Sequence, residues 1–365
     1  MPDHSKTKRT RLFTFIPLLF YLTSAFFQHH VSAIRLHPEI PVFQKGICYA
    51  TWDKNRFAST YSDQALITLK NMGAEYIQIN ITQYQDRCDS TEIKETGFTP
   101  SDPSVKHVIQ IAHELGLKVM LKPHIDLIHT DRSTCCRSDI GFKKEKDWRK
   151  WFAEYGNFIT HYAGIAEEYH VEIFCVGTEL SSTTRKANNW RKIISSVRNI
   201  YSGKLIYAAN WDNYENVKFW QDLDFVGIDA YFPLTCKSDP ALEDIKKGWE
   251  KWKHKIGSWH SGIKKPIVFT EIGYSSAAGA ASEPWKKESR GNADVEIQAK
   301  CYTAFFETMW NSPWLTGVYW WKYGPTIYGG GKNNRYFTPL NKPAAGILEE
   351  NYRSRTRSRS RPRTT

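Results

Sequence analysis

The sequence predicts an α/β fold, a single (β/α)8 TIM barrel. Three observations carry that expectation. Eight short runs rich in Val, Ile, Tyr and Phe recur between residues 45 and 324. Segments with apolar residues at threes and fours separate almost all of them. No GxGxxG or phosphate-loop pattern follows an early run, as a doubly wound open sheet would normally require.

The elements follow in order. The first strand candidate, 45–50 (KGICYA), leads to a helical pattern over 62–72 that Gly73 stops. The second, 75–81 (EYIQINI), precedes a helix over 103–115, with Asp102 as its capping residue, Pro103 in its first turn and Gly116 at its exit. The third, 118–126 (KVMLKPHID), leads to the longest pattern, 146–169. The fourth, 171–179 (VEIFCVGTE), is followed by 188–201. Between the fifth, 204–211 (KLIYAANW), and the sixth, 225–232 (FVGIDAYF), only a weak helix over 214–223 is expected. Helical 242–259 precedes the seventh strand, 266–274 (PIVFTEIGY), and 294–310 precedes the eighth, 316–324 (TGVYWWKYG). A last helix over 344–352 closes the series, and no linker divides the run. One domain over 34–352 is expected.

Hydrophobic residues at 41% and charged residues at 24% suit a chain with a sizeable core and exclude disorder, collagen and a small disulfide scaffold. The net charge of +12 raises a nucleic-acid role, but its location argues against one. Lys6, Lys8, Arg9 and Arg11 against Asp3 give the first 33 residues +3. Six arginines from Arg353 to Arg363 give the tail 353–365 +6, and the remaining +3 leaves the body near neutral. No nucleic-acid partner is expected, and the Arg/Ser tail reads as solvated and disordered.

Residues 1–33 read as a secretory signal peptide. KTKRTR precedes an apolar run over 12–27, and Val31-Ser32-Ala33 offers small residues for cleavage. The run is short for a membrane span and contains Pro17. An uncleaved signal-anchor is the alternative and the only route to a membrane; otherwise the protein is secreted. Among seven cysteines, Cys48 and Cys175 lie in strand-like runs and should be buried. Cys88 with Cys135 or Cys136 fits a bridge between neighbouring loops.

A barrel collects its chemistry at the C-terminal ends of its strands. Those ends carry Trp52, Asn80, Lys122, His124, Asp126, Glu179, Asn210, Trp211, Asp229, Tyr231, Glu271, Tyr274, Trp320, Trp321 and Lys322. Aromatic faces with amides and carboxylates suit a sugar-binding cleft. Trp320 is expected to line it while Trp321 packs outward, because Trp320 and Lys322 share a face by the two-residue strand period. Glu179 and Glu271 each directly follow an apolar run. One such glutamate usually belongs to a structural ion pair; two on separate strands with aromatics beside them fit the carboxylate pair of a glycosidase. His124 and Asp126 could form half a metal site, but no second His-rich strand end accompanies them, so neither metal nor other cofactor is expected. Asn80-Ile81-Thr82 matches a glycosylation sequon that a cleft position would hide.

The motifs VMLKPHID (119–126), VGTEL (176–180), FVGIDAYFPL (225–234), TEIGYSSAAGAASEPW (270–285), GVYWWKY (317–323) and LNKPA (340–344) are specific in order and spacing. Through them the chain from about 45 to 352 resembles glycoside hydrolase family 113, a clan A family of retaining β-mannanases. The resemblance implies that Glu179 is the acid/base and Glu271 the nucleophile, with the Tyr231 hydroxyl helping to hold the nucleophile ionised. It implies sugar contacts from Asn210, Trp211, His124, Lys122, Asp126 and Trp285. Thr178 precedes Glu179 where clan A enzymes usually carry Asn, which leaves the partner of the substrate 2-hydroxyl open.

The expected activity is a secreted, metal-independent endo-glycosidase, a monomer acting on β-1,4-mannan or glucomannan with retention. The same machinery on a β-1,4-glucan or xylan is the nearest alternative. A non-catalytic carbohydrate-binding barrel is the alternative of another class.

Overall fold

The computed structural model describes residues 43–129, 135–286 and 292–354. The signal peptide expected over 1–33 and the tail from residue 355 lie outside the described residues. Strands β1 (Gln44–Ala50), β2 (Tyr76–Gln85), β3 (Lys118–Leu127), β4 (Ile173–Thr178), β5 (Lys204–Asn210), β6 (Phe225–Asp229), β7 (Ile267–Ile272) and β8 (Leu315–Tyr323) pair in sequence order and close on themselves. All eight pairings are parallel. The fold is a (β/α)8 TIM barrel, as the alternating pattern predicts.

Helices α1 (Thr60–Asn71), α2 (Asp102–Glu114), α3 (Glu145–Glu168), α4 (Ala187–Arg198), α5 (Leu242–Ile263), α6 (Val295–Thr308) and α7 (Pro343–Ser354) follow the strands. The weak segment after β5 forms two short 3-10 turns, Tyr214–Asn216 and Trp220–Asp222. α1 and α2 end near Gly73 and Gly116, both at positive φ (99° and 68°). The start of α2 differs from expectation: Ser101 takes the cap position and Asp102 is the first helical residue. Asp102 has a competing partner, His161 of α3, at 3.0 Å. α7 runs to Ser354, two residues into the segment expected to be unstructured.

The barrel interior is packed with Cys48, Tyr76, Met120, Cys175, Ile206, Val268 and Tyr319. Gly46 of β1 leaves room for the Tyr319 ring, which a Cβ there would strike. A second apolar layer joins strands to helices. Along α3, Trp148, Trp151, Tyr155, Phe158 and Tyr162 bury one face at alternating steps of three and four. Many of the tryptophans are structural: Trp151, Trp190, Trp220, Trp249, Trp310 and Trp320 are fully buried. Trp52 and Trp285 are the tryptophans standing well into solvent among the described residues.

β2 and β3 are longer than their neighbours and stay paired from Tyr76↔Lys118 to Gln85↔Leu127. Their far ends carry the loops joined by the Cys88–Cys135 disulfide. Cys48 and Cys175 are buried thiols, as expected.

Candidate active site

Both glutamates reach the mouth through local breaks in strand geometry. In β7 the pairing with β6 passes from Ile228↔Phe269 to Asp229↔Glu271, and the pairing with β8 slips between Phe269 and Ile272. Such an irregularity re-aims side chains that strict alternation would send to opposite faces. Thr270 and Glu271 consequently reach one cluster: Thr270 Oγ1 donates to Asp229 at 2.7 Å, and Glu271 accepts from Lys122. Glu179 follows β4 in the left-handed region (φ 54°), a conformation a non-glycine residue keeps only where its surroundings hold it. Its amide donates to Ala208 O of β5 at 2.8 Å.

The Glu271 carboxylate is gripped on both oxygens. Lys122 Nζ donates to Oε1 at 2.6 Å and the Tyr231 hydroxyl donates to Oε2 at 2.7 Å. Lys122 also donates to Asp229 Oδ1 at 3.1 Å. A lone ammonium could not be buried this fully, and its stability there depends on these acceptors. Burial opposes the lysine's charge, yet Asp229 and Glu271 hold its pKa above the ordinary lysine value. Burial and the neighbouring Glu271 charge push the Asp229 carboxyl well above the usual range. Burial and Glu271 likewise keep the Tyr231 phenol protonated and therefore a donor.

Glu179 faces Arg137, whose Nη1 lies 3.5 Å from its Oε2. Arg137 also donates to His124 Nδ1 and to Asp126 Oδ2, each at 3.2 Å. The Asn80 amide lies 2.8 Å from His124 Nε2. Burial works against the Arg137 charge, and the carboxylates of Asp126, Glu179, Glu271 and Asp229 outweigh it.

Two aromatic walls stand on opposite sides of the mouth. On the β8–β1 side Lys322 Nζ sits 3.7 Å from the centre of the Trp52 ring and 5.2 Å from that of Trp321. On the β5–β7 side Trp211 stacks on Trp285 at 5.3 Å and 21°. Asn210 Nδ2 donates to Ser181 Oγ at 3.0 Å beside them.

The structure brings Glu179, Glu271, Tyr231, Asn80, His124, Asp126, Asn210, Trp211, Trp285 and Trp52 to this end of the barrel. Three expectations are corrected. Trp320 is fully buried, stacked on Tyr302 of α6 at 3.8 Å, whereas Trp321 packs against the barrel interior. The alternation holds through Trp321 and fails at Lys322, because the β1–β8 register slips between the pairs Ile47↔Trp320 and Tyr49↔Tyr323. Tyr274 is also fully buried in the layer between strands and helices, its carbonyl accepting from Gln298 of α6. Lys122 serves Glu271 and Asp229 from beneath, too buried to touch a sugar. Asn80 is only 3% exposed, which keeps its sequon out of reach.

Arg137, absent from the sequence reading, is the site's missed residue. Its one sequence signal is adjacency to the Cys135-Cys136 pair.

The family model for Glycoside Hydrolase Family 113 matches residues 48–342. The chain belongs to glycoside hydrolase family 113. It is a glycoside hydrolase, and solved structures of the family agree along nearly their whole length. A GH113 β-1,4-mannanase solved as a complex is 28% identical over 86% of this chain and 99% of its own, with a TM-score of 0.78. The GH113 β-mannanase AaManA from Alicyclobacillus acidocaldarius, in complex with ManMIm, is 25% identical over 85% of this chain and 97% of its own (TM-score 0.77). A β-glucuronidase from Ruminococcus gnavus shares the fold at 13% identity and TM-score 0.60, over half its length. No curated protein sequence matches this family 113 chain.

Proposed function

We propose that this family 113 enzyme is an exported, retaining endo-β-1,4-mannanase with Glu271 as nucleophile and Glu179 as acid/base. The observation that carries the reading is the grip on Glu271: an ammonium on one oxygen and a phenol on the other, at the mouth Glu179 also reaches. Both bonds strengthen with negative charge on the carboxylate, the form that attacks carbon.

In the first step a Glu271 oxygen bonds to the anomeric carbon as the glycosidic C–O bond breaks, and Glu179 gives its proton to the departing oxygen. In the second, Glu179 takes a proton from water, whose oxygen displaces Glu271 from the same carbon. Two inversions leave the configuration retained. Trp52 on one side and Trp211 with Trp285 on the other offer ring faces to sugars either side of the cleavage point. The substrate proposal is supported by the names of the two relatives above, one a β-1,4-mannanase and the other a β-mannanase. Export is supported by the leader pattern and by the Cys88–Cys135 bridge, which an oxidising compartment sustains.

The test is reducing-sugar release by the full chain from glucomannan, galactomannan, a soluble cellulose derivative and xylan in parallel, with Glu271→Ala and Glu179→Ala as controls. Mannan hydrolysis lost in Glu271→Ala and strongly reduced in Glu179→Ala supports the proposal. Activity confined to glucan or xylan replaces the substrate. A folded wild type without turnover on any of them sinks the mannanase reading.

A further inference from the structure

Arg137 has no part in the two steps above, yet the fold places it with care. It opens a 3-10 turn, Arg137–Asp139, two residues after the Cys88–Cys135 disulfide. Beyond the turn, Gly141 N donates to Cys88 O at 3.1 Å, and at its cap Cys136 N donates to Asp139 Oδ2 at 2.9 Å. The loop after β3 is thus tied twice to the loop after β2.

The Arg137 side chain is only 16% exposed, and its guanidinium is fixed by His124 and Asp126 as well as facing Glu179. Arginine only donates, so His124 Nδ1 must accept. With two other partners, Arg137 keeps its position whether or not Glu179 is charged. It is a preorganised positive charge beside the acid/base.

We propose that Arg137 is a positioning residue that biases the proton cycle of Glu179 toward its ionised, proton-accepting half. The inference rests on Glu179 being the acid/base. Glu179 must carry a proton in the first step and lack it in the second. Arg137 faces it directly, Asp229 of β6 and the Tyr207 hydroxyl of β5 feel its charge, and Asp126 of β3 and Glu271 of β7, the latter bonded to Lys122, act on the same guanidinium. In the free enzyme the negative charge of Glu271 favours the protonated form. Once Glu271 becomes a glycosyl ester that charge is gone, while the Arg137 charge remains. Glu179 then loses its proton more readily and can accept one from water. Arg137 therefore helps the second step at some expense to the first.

The test is a carboxyl-carbon NMR titration of the full chain labelled at glutamate, with the Glu179 signal assigned by its loss in Glu179→Gln. Arg137→Gln and Arg137→Met remove the charge; Arg137→Lys keeps it. Thermal unfolding checks each fold. The titration midpoint of Glu179 rises by about one pH unit in the neutral variants and stays close to wild type in Arg137→Lys. The basic limb of the kcat/KM profile moves the same way. An unchanged midpoint in a folded neutral variant overturns the proposal, whatever its kcat. The titration needs no turnover, so failure of the mannanase reading appears separately, in a parallel mannan assay of the wild type.

Discussion

Lys122 of β3 and Glu271 of β7 meet across the barrel, Nζ to Oε1 at 2.6 Å, with the lysine fully buried and the glutamate 5% exposed. One strand contributes the carboxylate and another the charge that makes burying it tolerable. Asp229 of β6, held by the same ammonium and by Thr270, completes the cluster.

Removing that ammonium leaves two carboxyl groups buried without it. Lys122→Met is expected to lower unfolding free energy by about 3–5 kcal/mol and to abolish hydrolysis. Urea denaturation beside an activity assay checks both, and a loss below about 1 kcal/mol would show that the pair matters no more than a surface contact.

Tyr231→Phe deletes a single donor from Glu271 Oε2 and leaves the ring in place. A hydrogen bond to a charged group contributes about 1.5–3 kcal/mol, so kcat should fall roughly tenfold to a hundredfold with the thermal midpoint little changed. Steady-state kinetics with retained near-UV dichroism tests this.

Trp52→Ala and Trp285→Ala each remove an exposed ring face. Ring contacts contribute about 0.5–1.5 kcal/mol, so KM for mannan should rise roughly twofold to tenfold in each variant. Trp320→Ala behaves differently because its ring is packed on Tyr302, Phe305 and Phe306. It is expected to cost about 3–5 kcal/mol of stability with KM unchanged in the protein that still folds.

Much of this was legible in the chain. Each strand is an apolar run on an alternating scaffold, and Glu179 and Glu271 stood out because charge directly after such a run is costly. The misses have a common physical origin in contacts that sequence distance hides. The phase of alternation in Trp320-Trp321 is set by which ring finds Tyr302 on α6. The role of Lys122 is set by a partner 149 positions away, and that of Arg137 by a disulfide reaching back 47 positions to Cys88. The register slips in β7 and β8 are likewise properties of strand pairing, invisible in either strand alone.

Lys342 gives a pH-dependent stability. Burial lowers its pKa from 10.5 to about 8, while its ammonium donates to Ser276 Oγ, Asn334 Oδ1 and Tyr336 O. Between those two values the unfolded chain binds the extra proton, so this residue's contribution to stability rises with pH across that window and is level on either side. Urea unfolding of wild type and Lys342→Met at intervals from pH 7.5 to about 11 isolates the term. A difference between the two that does not change with pH would refute it.

The central claim is the division of labour between Glu271 and Glu179, and azide rescue with an activated aryl β-mannoside tests it most directly. Glu179→Ala with azide should form β-mannosyl azide, the anion attacking an intermediate still carried on Glu271. Glu271→Ala with azide should form the α-azide by a single displacement. The reverse pattern would exchange the two roles, and rescue of neither variant in an otherwise active enzyme would place the catalytic pair elsewhere.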